Sequence, residues 1–557
     1  MTEHAWWKDA VVYQIYPRSF NDTDGDGIGD IQGIVEKLDY IDNLGVDAVW
    51  LSPIYESPQH DNGYDVSDYR SIHSEYGTID EWESLLAGLH ERDIRLVMDM
   101  VANHTSSEHD WFQQSRSDPN GEYGDYYVWR DGDPDEPPNN WESFFGGSAW
   151  EYDEIREAWY LCLFDTTQPD LNWRNPTVRE EMYSIMNWWL NKGIDGFRLD
   201  VLNLLSKPEG FPNGDPAQDL VGSEHFVDGP QIHNYLEEMR DTVFAGRDIV
   251  TVGEMPQLTL ESAREYTGDD GPLDLVFPFE HVEVDFGPNG RWDVGEWTLP
   301  DLKSILDRWQ HGLDNEWWTT LFFENHDQPR SVSRFGNDET YRYESATALA
   351  TIVLTLRGTP FIYQGQELGM TNTTFETLDD VADVDTVRNI RELIADGVFE
   401  GYEAARDVVE ARSRDNARTP MQWSDDQHAG FTAGEPWLPA NDDYETVNAV
   451  HEDEQTPSVL SYYRTLIDVR EQSQPLRYGS YELHYPEDEQ LYVYERSLNA
   501  ERVVVVLNLS SKPRSADIAP VTASASLLLG NYESVSGETG KSLNLRPYEA
   551  RLYTESN

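Results

Sequence analysis

Three acidic residues lie at the ends of three separate apolar runs: Asp200 in Gly196–Val201, Glu254 in Asp248–Glu254 and Asp327 in Thr320–Asp327. Two carboxylates facing each other across a glycosidic bond can hydrolyse it, one acting on the anomeric carbon and the other moving a proton. Asp99, Asn103 and the adjoining His104 close a fourth run, Arg95–Asn103. Arg198 stands two residues before Asp200, and His326 precedes Asp327. For any single Asp in so acidic a chain, a structural ion pair or a helix cap is the simpler reading. A whole set at successive run ends is harder to dismiss, because charge there is costly unless it is used. A second group, Asp22–Asp30, reads DTDGDGIGD. Acids at alternate positions, with glycines permitting tight turns, make an oxygen cage for a hard cation; a solvated acidic turn is the alternative.

This chemistry needs a scaffold that gathers the run ends. Eight runs rich in Val, Ile, Leu and Phe alternate with helical patterns: Val11–Pro17, Ala48–Pro53, Arg95–Asn103, Gly196–Val201, Asp248–Glu254, Leu275–Phe279, Thr320–Asp327 and Thr359–Glu367. The alternation marks a parallel β/α fold. Eight units predict a TIM (β/α)8 barrel, in which the C-terminal ends of the strands meet at one mouth. One helix is legible from end to end. Asn175 can cap it, Pro176 suits its first turn and Gly193 can end it. Between them Val178, Met182, Ile185, Met186 and Trp189 share one face. Residues 104–170 break the alternation, with Pro134, Pro137, Pro138, Asn139 and Asn140 among many aromatics. That is too long for a plain loop, and a small domain inserted after the third strand, over the barrel mouth, is expected. Residues 1–103 and 171–477 would then form the barrel. From about Tyr478 the helical pattern fades. Tyr492–Arg496, Arg502–Leu507 and Ala525–Leu529 read as strands of a C-terminal antiparallel β-domain, a β-sandwich over 478–557.

Acidic residues outnumber basic ones by 105 to 40, a formal charge of −65. Such charge repels itself in dilute buffer. In molar salt the Debye length falls to about 3 Å and the repulsion is screened, so adaptation to concentrated salt is expected. The same charge repels phosphate backbones and excludes nucleic acid as a partner. Cys162 is the lone cysteine, so no intrachain disulfide can form. Met1–Asp9 carries Trp6 and Trp7 without an apolar leader core, and no apolar run nears the length of about 20 residues that a membrane span needs. The expectation is a protein of a high-salt cytosol, without membrane partners, as a monomer or small homo-oligomer.

The stretches DMVANHTS at Asp99–Ser106, GFRLDV at Gly196–Val201, VGEM at Val252–Met255 and FENHDQPR at Phe323–Arg330 resemble the signature regions of the α-amylase family, glycoside hydrolase family 13. WWKDAVVYQIYPRSF near the start, DNGYD at Asp61–Asp65, QPDLNW at Gln168–Trp173 and RDNARTPMQW at Arg414–Trp423 are similar to its oligo-1,6-glucosidase and α-glucosidase branch. The resemblance implies a retaining, exo-acting α-glucosidase working by double displacement on small α-glucosides. By it Asp200 is the nucleophile, Glu254 the general acid and base, and Asp327 the residue that grips the sugar in its distorted geometry. Arg198 would keep Asp200 ionised. His104 and His326 would hydrogen-bond the bound glucose. Asp61 and Arg414 would close its far end, with Tyr64, Phe145, Phe164 and Gln168 as pocket walls.

The resemblance also covers the acidic loop. It implies side-chain ligands from Asp22, Asp24, Asp26 and Asp30 and the carbonyl of Ile28, around a structural Ca²⁺ or Mg²⁺, with no organic cofactor. A Val directly after the nucleophile, here Val201, resembles branch members that accept α-1,6 links. Isomaltose is therefore the expected type of substrate, with maltose and sucrose beside it. A trehalose-6-phosphate hydrolase and a transglycosylase or sucrose isomerase are the alternatives on this scaffold.

Overall fold

The computed structural model describes residues 5–268, 271–288, 290–312, 317–518, 525–533 and 543–556. Eight short strands form one parallel sheet: β1 Val12–Ile15, β2 Ala48–Leu51, β3 Arg95–Val101, β4 Gly196–Asp200, β5 Val250–Glu254, β6 Leu275–Phe277, β7 Thr320–Leu321 and β8 Thr359–Tyr363. Hydrogen-bonded neighbours run β6-β5-β4-β3-β2-β1-β8-β7. Thr320 Oγ1 of β7 donates to the Val276 carbonyl of β6 at 3.2 Å and links the two ends of that order. The result is the barrel, with strands buried on both faces, which is why their sequences read as continuous apolar runs. Each predicted run contains one of these strands.

Local chemistry sets the helix Pro176–Lys192. The Asn175 side chain accepts from the Thr177 N–H, and Gly193, at φ 108°, ends the helix in the left-handed region where a side chain would be strained. Val178, Met182, Ile185, Met186 and Trp189 are all buried on the sheet side.

Between β3 and β4 the chain leaves the barrel. Trp129–Arg130, Ala158–Leu161 and Trp150–Asp153 make a three-stranded antiparallel sheet. Trp141, Trp150, Leu161, Phe211 and Phe226 pack beneath it as a separate apolar cluster, which also takes in Val201 at the end of β4. After β8 the helices Val384–Ala395 and Tyr402–Arg412 share a further small cluster around Ile390, Ala405 and Val409. Among the described residues a five-stranded antiparallel sheet lies near the end of the chain, β9 Ser480–His484, β10 Leu491–Leu498, β11 Glu501–Asn508, β12 Ser526–Gly530 and β13 Ala550–Ser556, in the order β9-β10-β11-β13-β12, and Arg514–Ala516 pairs antiparallel with Leu543–Leu545 in a second sheet. Lys303 fastens this sheet to the barrel, its ammonium donating to the carbonyls of Tyr485, Asp488 and Leu491 at 2.7–3.0 Å.

Candidate active site

The strands deliver their polar ends to one place. Arg198 and Asp200 point to the same side of β4 because side chains alternate along a strand. Arg198 Nη1 donates to Asp200 Oδ1 at 2.6 Å and to Asp99 Oδ1 of β3 at 3.0 Å. Its Nη2 lies 2.5 Å from Glu254 Oε2 of β5. One buried guanidinium thus holds three carboxylates from three strands. Burial pushes the Asp200 carboxyl up; Arg198 pulls against this, while the charges of Glu254 and Asp99 push the same way as burial. The Asp99 carboxyl is raised to about 6, again by burial first. Arg198 therefore favours the charged form of Asp200 without outweighing burial and two like charges.

Asp327 has the opposite surroundings. Its Oδ1 lies 2.7 Å from Arg418 Nη2 and 3.3 Å from Arg414 Nη1, and its Oδ2 3.2 Å from His326 Nε2. Burial opposes ionisation, but His326 and the two arginines together hold its pKa well below the usual carboxylate range. Burial lowers His326 to about 3, so the imidazole is neutral. A neutral ring that accepts from the Gln14 amide at Nδ1, 2.9 Å away, carries its proton on Nε2, facing Asp327. The ring is stacked on Tyr64, with centroids 5.2 Å apart.

Arg414 spans the far end. Its Nη2 lies 3.1 Å from Asp61 Oδ1 and 2.6 Å from Asp383 Oδ1, and its guanidinium sits 5.0 Å from the Phe145 ring. Gln168 Nε2 donates to Asp61 Oδ2 at 3.1 Å and lies 3.3 Å from His104 Nε2. Burial raises Asp61 to about 6 and lowers His104 to about 4. Phe164 packs on both Phe145 and His104.

These groups surround one cavity of ≈ 700 Å³, lined by Asp61, Tyr64, His104, Phe145, Phe164, Gln168, Asp200, Glu254, Asp327 and Arg414 among others. Arg198 and His326 stand behind this lining and act through the acids they touch. Val201 lines the cavity at φ 38°, a left-handed backbone that a β-branched residue rarely adopts. The turn brings its N–H to 3.3 Å from Glu254 Oε2.

Sequence reasoning missed Arg418, Asp383 and the aromatic Phe144. Arg418 was within reach, because it falls inside the RDNARTPMQW stretch, four residues after Arg414. Asp383 has no signal of its own: it is one acid among 105.

In the Asp22–Asp30 loop the carboxylates of Asp22, Asp24 and Asp30 offer oxygens within 4.8 Å of one another. Asp26 instead accepts from the Ile28 N–H with its Oδ1 at 2.8 Å. Asp30 accepts from Gly33 and Thr23 N–H groups, and Asp22 from those of Asp24, Gly25 and Gly27. Among the described residues no Lys, Arg or His pairs with the three. Three converging carboxylates without a counter-charge, on a loop held by its own N–H groups, fit a hard divalent cation.

A barrel whose mouth gathers carboxylates from three strands around one arginine has the paired acids that glycosidic bond cleavage needs. The chain belongs to the α-amylase family: the model of the Alpha amylase, catalytic domain matches residues 14–479. It is 49% identical to an oligo-1,6-glucosidase of Halalkalibacterium halodurans over 99% of both chains. The structure of isomaltulose synthase from Klebsiella sp. LX3 superposes with a TM-score of 0.96 at 43% identity over 99% of each chain. Trehalose-6-phosphate hydrolase from Bacillus licheniformis gives 0.93 at 43% identity over 100% of each. Among the described residues no helix is long and apolar enough to cross a membrane.

Proposed function

We propose that this enzyme is a retaining, exo-acting α-glucosidase that removes glucose from short, uncharged α-glucosides. The observation that carries the proposal is the Arg198 guanidinium bridging Asp200 and Glu254 at the floor of a hollow whose far end holds the Asp61–Arg414 pair. Asp200 attacks the anomeric carbon as the bond to the leaving oxygen breaks, and Glu254 gives that oxygen its proton. Water then attacks the anomeric carbon, its proton passes to Glu254, and Asp200 departs as carboxylate. Asp327, kept ionised by its arginines, grips the ring hydroxyls; neutral His104 can share hydrogen bonds with them. Tyr64, Phe145, Phe164 and Gln168 shape the glucose end, and His326 orients Asp327.

The three relatives act on different substrates or give different products, so the mouth must discriminate. Glu142, Asp219, Glu283, Asp385, Glu392 and Asp396 line its outer part. Among the described residues the cations of the lining are Arg414 and Arg291, and Arg291 is engaged by Asp385 at 2.8 Å and the Arg412 carbonyl at 3.0 Å. A phosphorylated aglycone would meet acids, which favours uncharged glucosides over trehalose 6-phosphate. Val201 at the cavity wall favours α-1,6 links such as that of isomaltose, with maltose and sucrose as further substrates. A transglycosylase or sucrose isomerase would share the catalytic trio and differ in its products. In purified enzyme at molar KCl, glucose should be released from isomaltose and not from trehalose 6-phosphate. Free cleavage of maltose with isomaltose intact would sink the linkage reading. Rearranged disaccharides in place of glucose, seen by chromatography, would sink the hydrolase reading.

Asp22, Asp24 and Asp30 would hold Ca²⁺ or Mg²⁺ as a structural ion, with the second carboxylate oxygen of Asp26 and the Ile28 carbonyl as the further ligands. Dialysis against chelator should lower the melting temperature by about 2–4 °C, the effect of losing about 3 kcal/mol of ligand binding in a chain of this size. Either metal, added back, should restore it; an unchanged melt would count against the ion. The charge of −65 supports a working place in concentrated salt, where it is screened.

A further inference from the structure

A second cavity, of ≈ 260 Å³, opens where the inserted segment meets the barrel. Its charged lining consists of Arg130, Arg174, Lys207 and Asp125, with the rings of Trp129 and Phe211 among its walls. The charge balance is inverted there. Three cations face one acid, in a chain where acids outnumber bases by 105 to 40.

Arg130 makes no ion pair among the described residues. Its guanidinium lies over the Phe211 ring at 3.9 Å, and its Nη1 donates to the Trp129 carbonyl at 2.8 Å. Arg174 pairs at 3.3 Å with Glu209, whose side chain is 86% exposed. A surface pair of that kind contributes little and exchanges readily. Lys207 is buried and engaged, 2.5 Å from Asp170 and 2.8 Å from Asn103 Oδ1. Burial and the neighbouring Arg174 both push the Arg130 pKa down, against the charges of Asp125 and Asp131.

We propose that this cavity is an oxyanion site that takes a phosphate group, either free or on a small sugar. A guanidinium is planar and offers paired donors, which match two oxygens of a phosphate. The Trp129 and Phe211 rings give an attached sugar an apolar wall. The glucose hollow, lined by acids, repels the same group. The two cavities therefore sort ligands by charge.

The test uses the full chain in molar KCl, where long-range repulsion from the remaining acids is screened. Inorganic phosphate, glucose 6-phosphate and glucose are each titrated at constant ionic strength, reading melting temperature and calorimetric binding. The signal is the part of each response that the double variant Arg130→Gln, Arg174→Gln loses, since glucose also enters the catalytic hollow. Phosphate should give a saturable response, weakened about tenfold or more by Arg130→Gln, the loss of one charge-assisted contact. The double variant should abolish it with kcat unchanged. Arg130→Lys keeps the charge and most of the packing on Phe211, so it should retain part of the binding even if the Gln variant folds poorly. Tighter binding of glucose 6-phosphate than of phosphate identifies a sugar phosphate as the occupant; equal binding identifies free phosphate. The proposal is overturned if phosphate does no more than KCl, if the double variant still binds it, or if glucose loses as much signal as glucose 6-phosphate.

Discussion

Asp200 and Asp327 are the same residue type at the ends of two apolar runs, the fourth and the seventh, and the fold treats them in opposite ways. Asp200 shares one arginine with Glu254 and Asp99. Asp327 meets Arg418, a neutral His326 and Arg414, the last shared with Asp61 and Asp383. On one side acids outnumber cations by three to one; on the other, Asp327 meets two arginines. Burial and like charges raise Asp200 in the first group, while His326 and the arginines hold Asp327 low in the second. That contrast is what two-carboxylate chemistry beside a fixed charge requires, because environment alone must divide the roles among identical groups.

The comparison breaks most directly at the acids themselves. Asp200→Asn and Glu254→Gln should each lower kcat by about 10³-fold or more with the melting temperature little changed. Near-normal turnover in either variant would remove the proposed division of labour.

Arg198→Met sharpens it. Losing the cation leaves three carboxylates with no positive partner, so their protonated forms gain. The acid limb of the kcat/KM profile should then move to higher pH, and kcat at neutral pH should fall by about 10²-fold, the scale of two lost charge-assisted contacts. An unmoved acid limb would show that Arg198 does not govern the group's protons.

The smallest effect is expected at the glucose end. Burial pushes the Asp61 carboxyl up to about 6 in the folded protein. A raised carboxyl binds its proton more tightly folded than unfolded. Stability is thus lost as pH rises from about 4 through 6. Asp61→Asn removes that loss, and the melting temperature should fall less between pH 4.5 and 7.5 than in the parent. Glucosides should bind about tenfold more weakly, because a charge-assisted contact to the sugar is gone. Melts of both proteins at the two pH values, with KM at the upper one, check this.

Much of this was legible without coordinates. Apolar runs with polar residues at their ends gave the eight strands, because a strand buried on both faces leaves only its ends for chemistry. Asn175, Pro176 and Gly193 bounded their helix because caps are local chemistry. What the sequence could not carry was the distribution of cations. Arg414 and Arg418 reach Asp327 from 87 and 91 residues away, and Arg414 reaches Asp61 across 353. The helix Val384–Ala395, which lines the cavity, and the helix Tyr402–Arg412 packed on it follow no barrel repeat. Residue type and periodicity report on near neighbours. Which acid keeps a proton depends on burial and on charges brought from distant segments, and only the folded chain sets those.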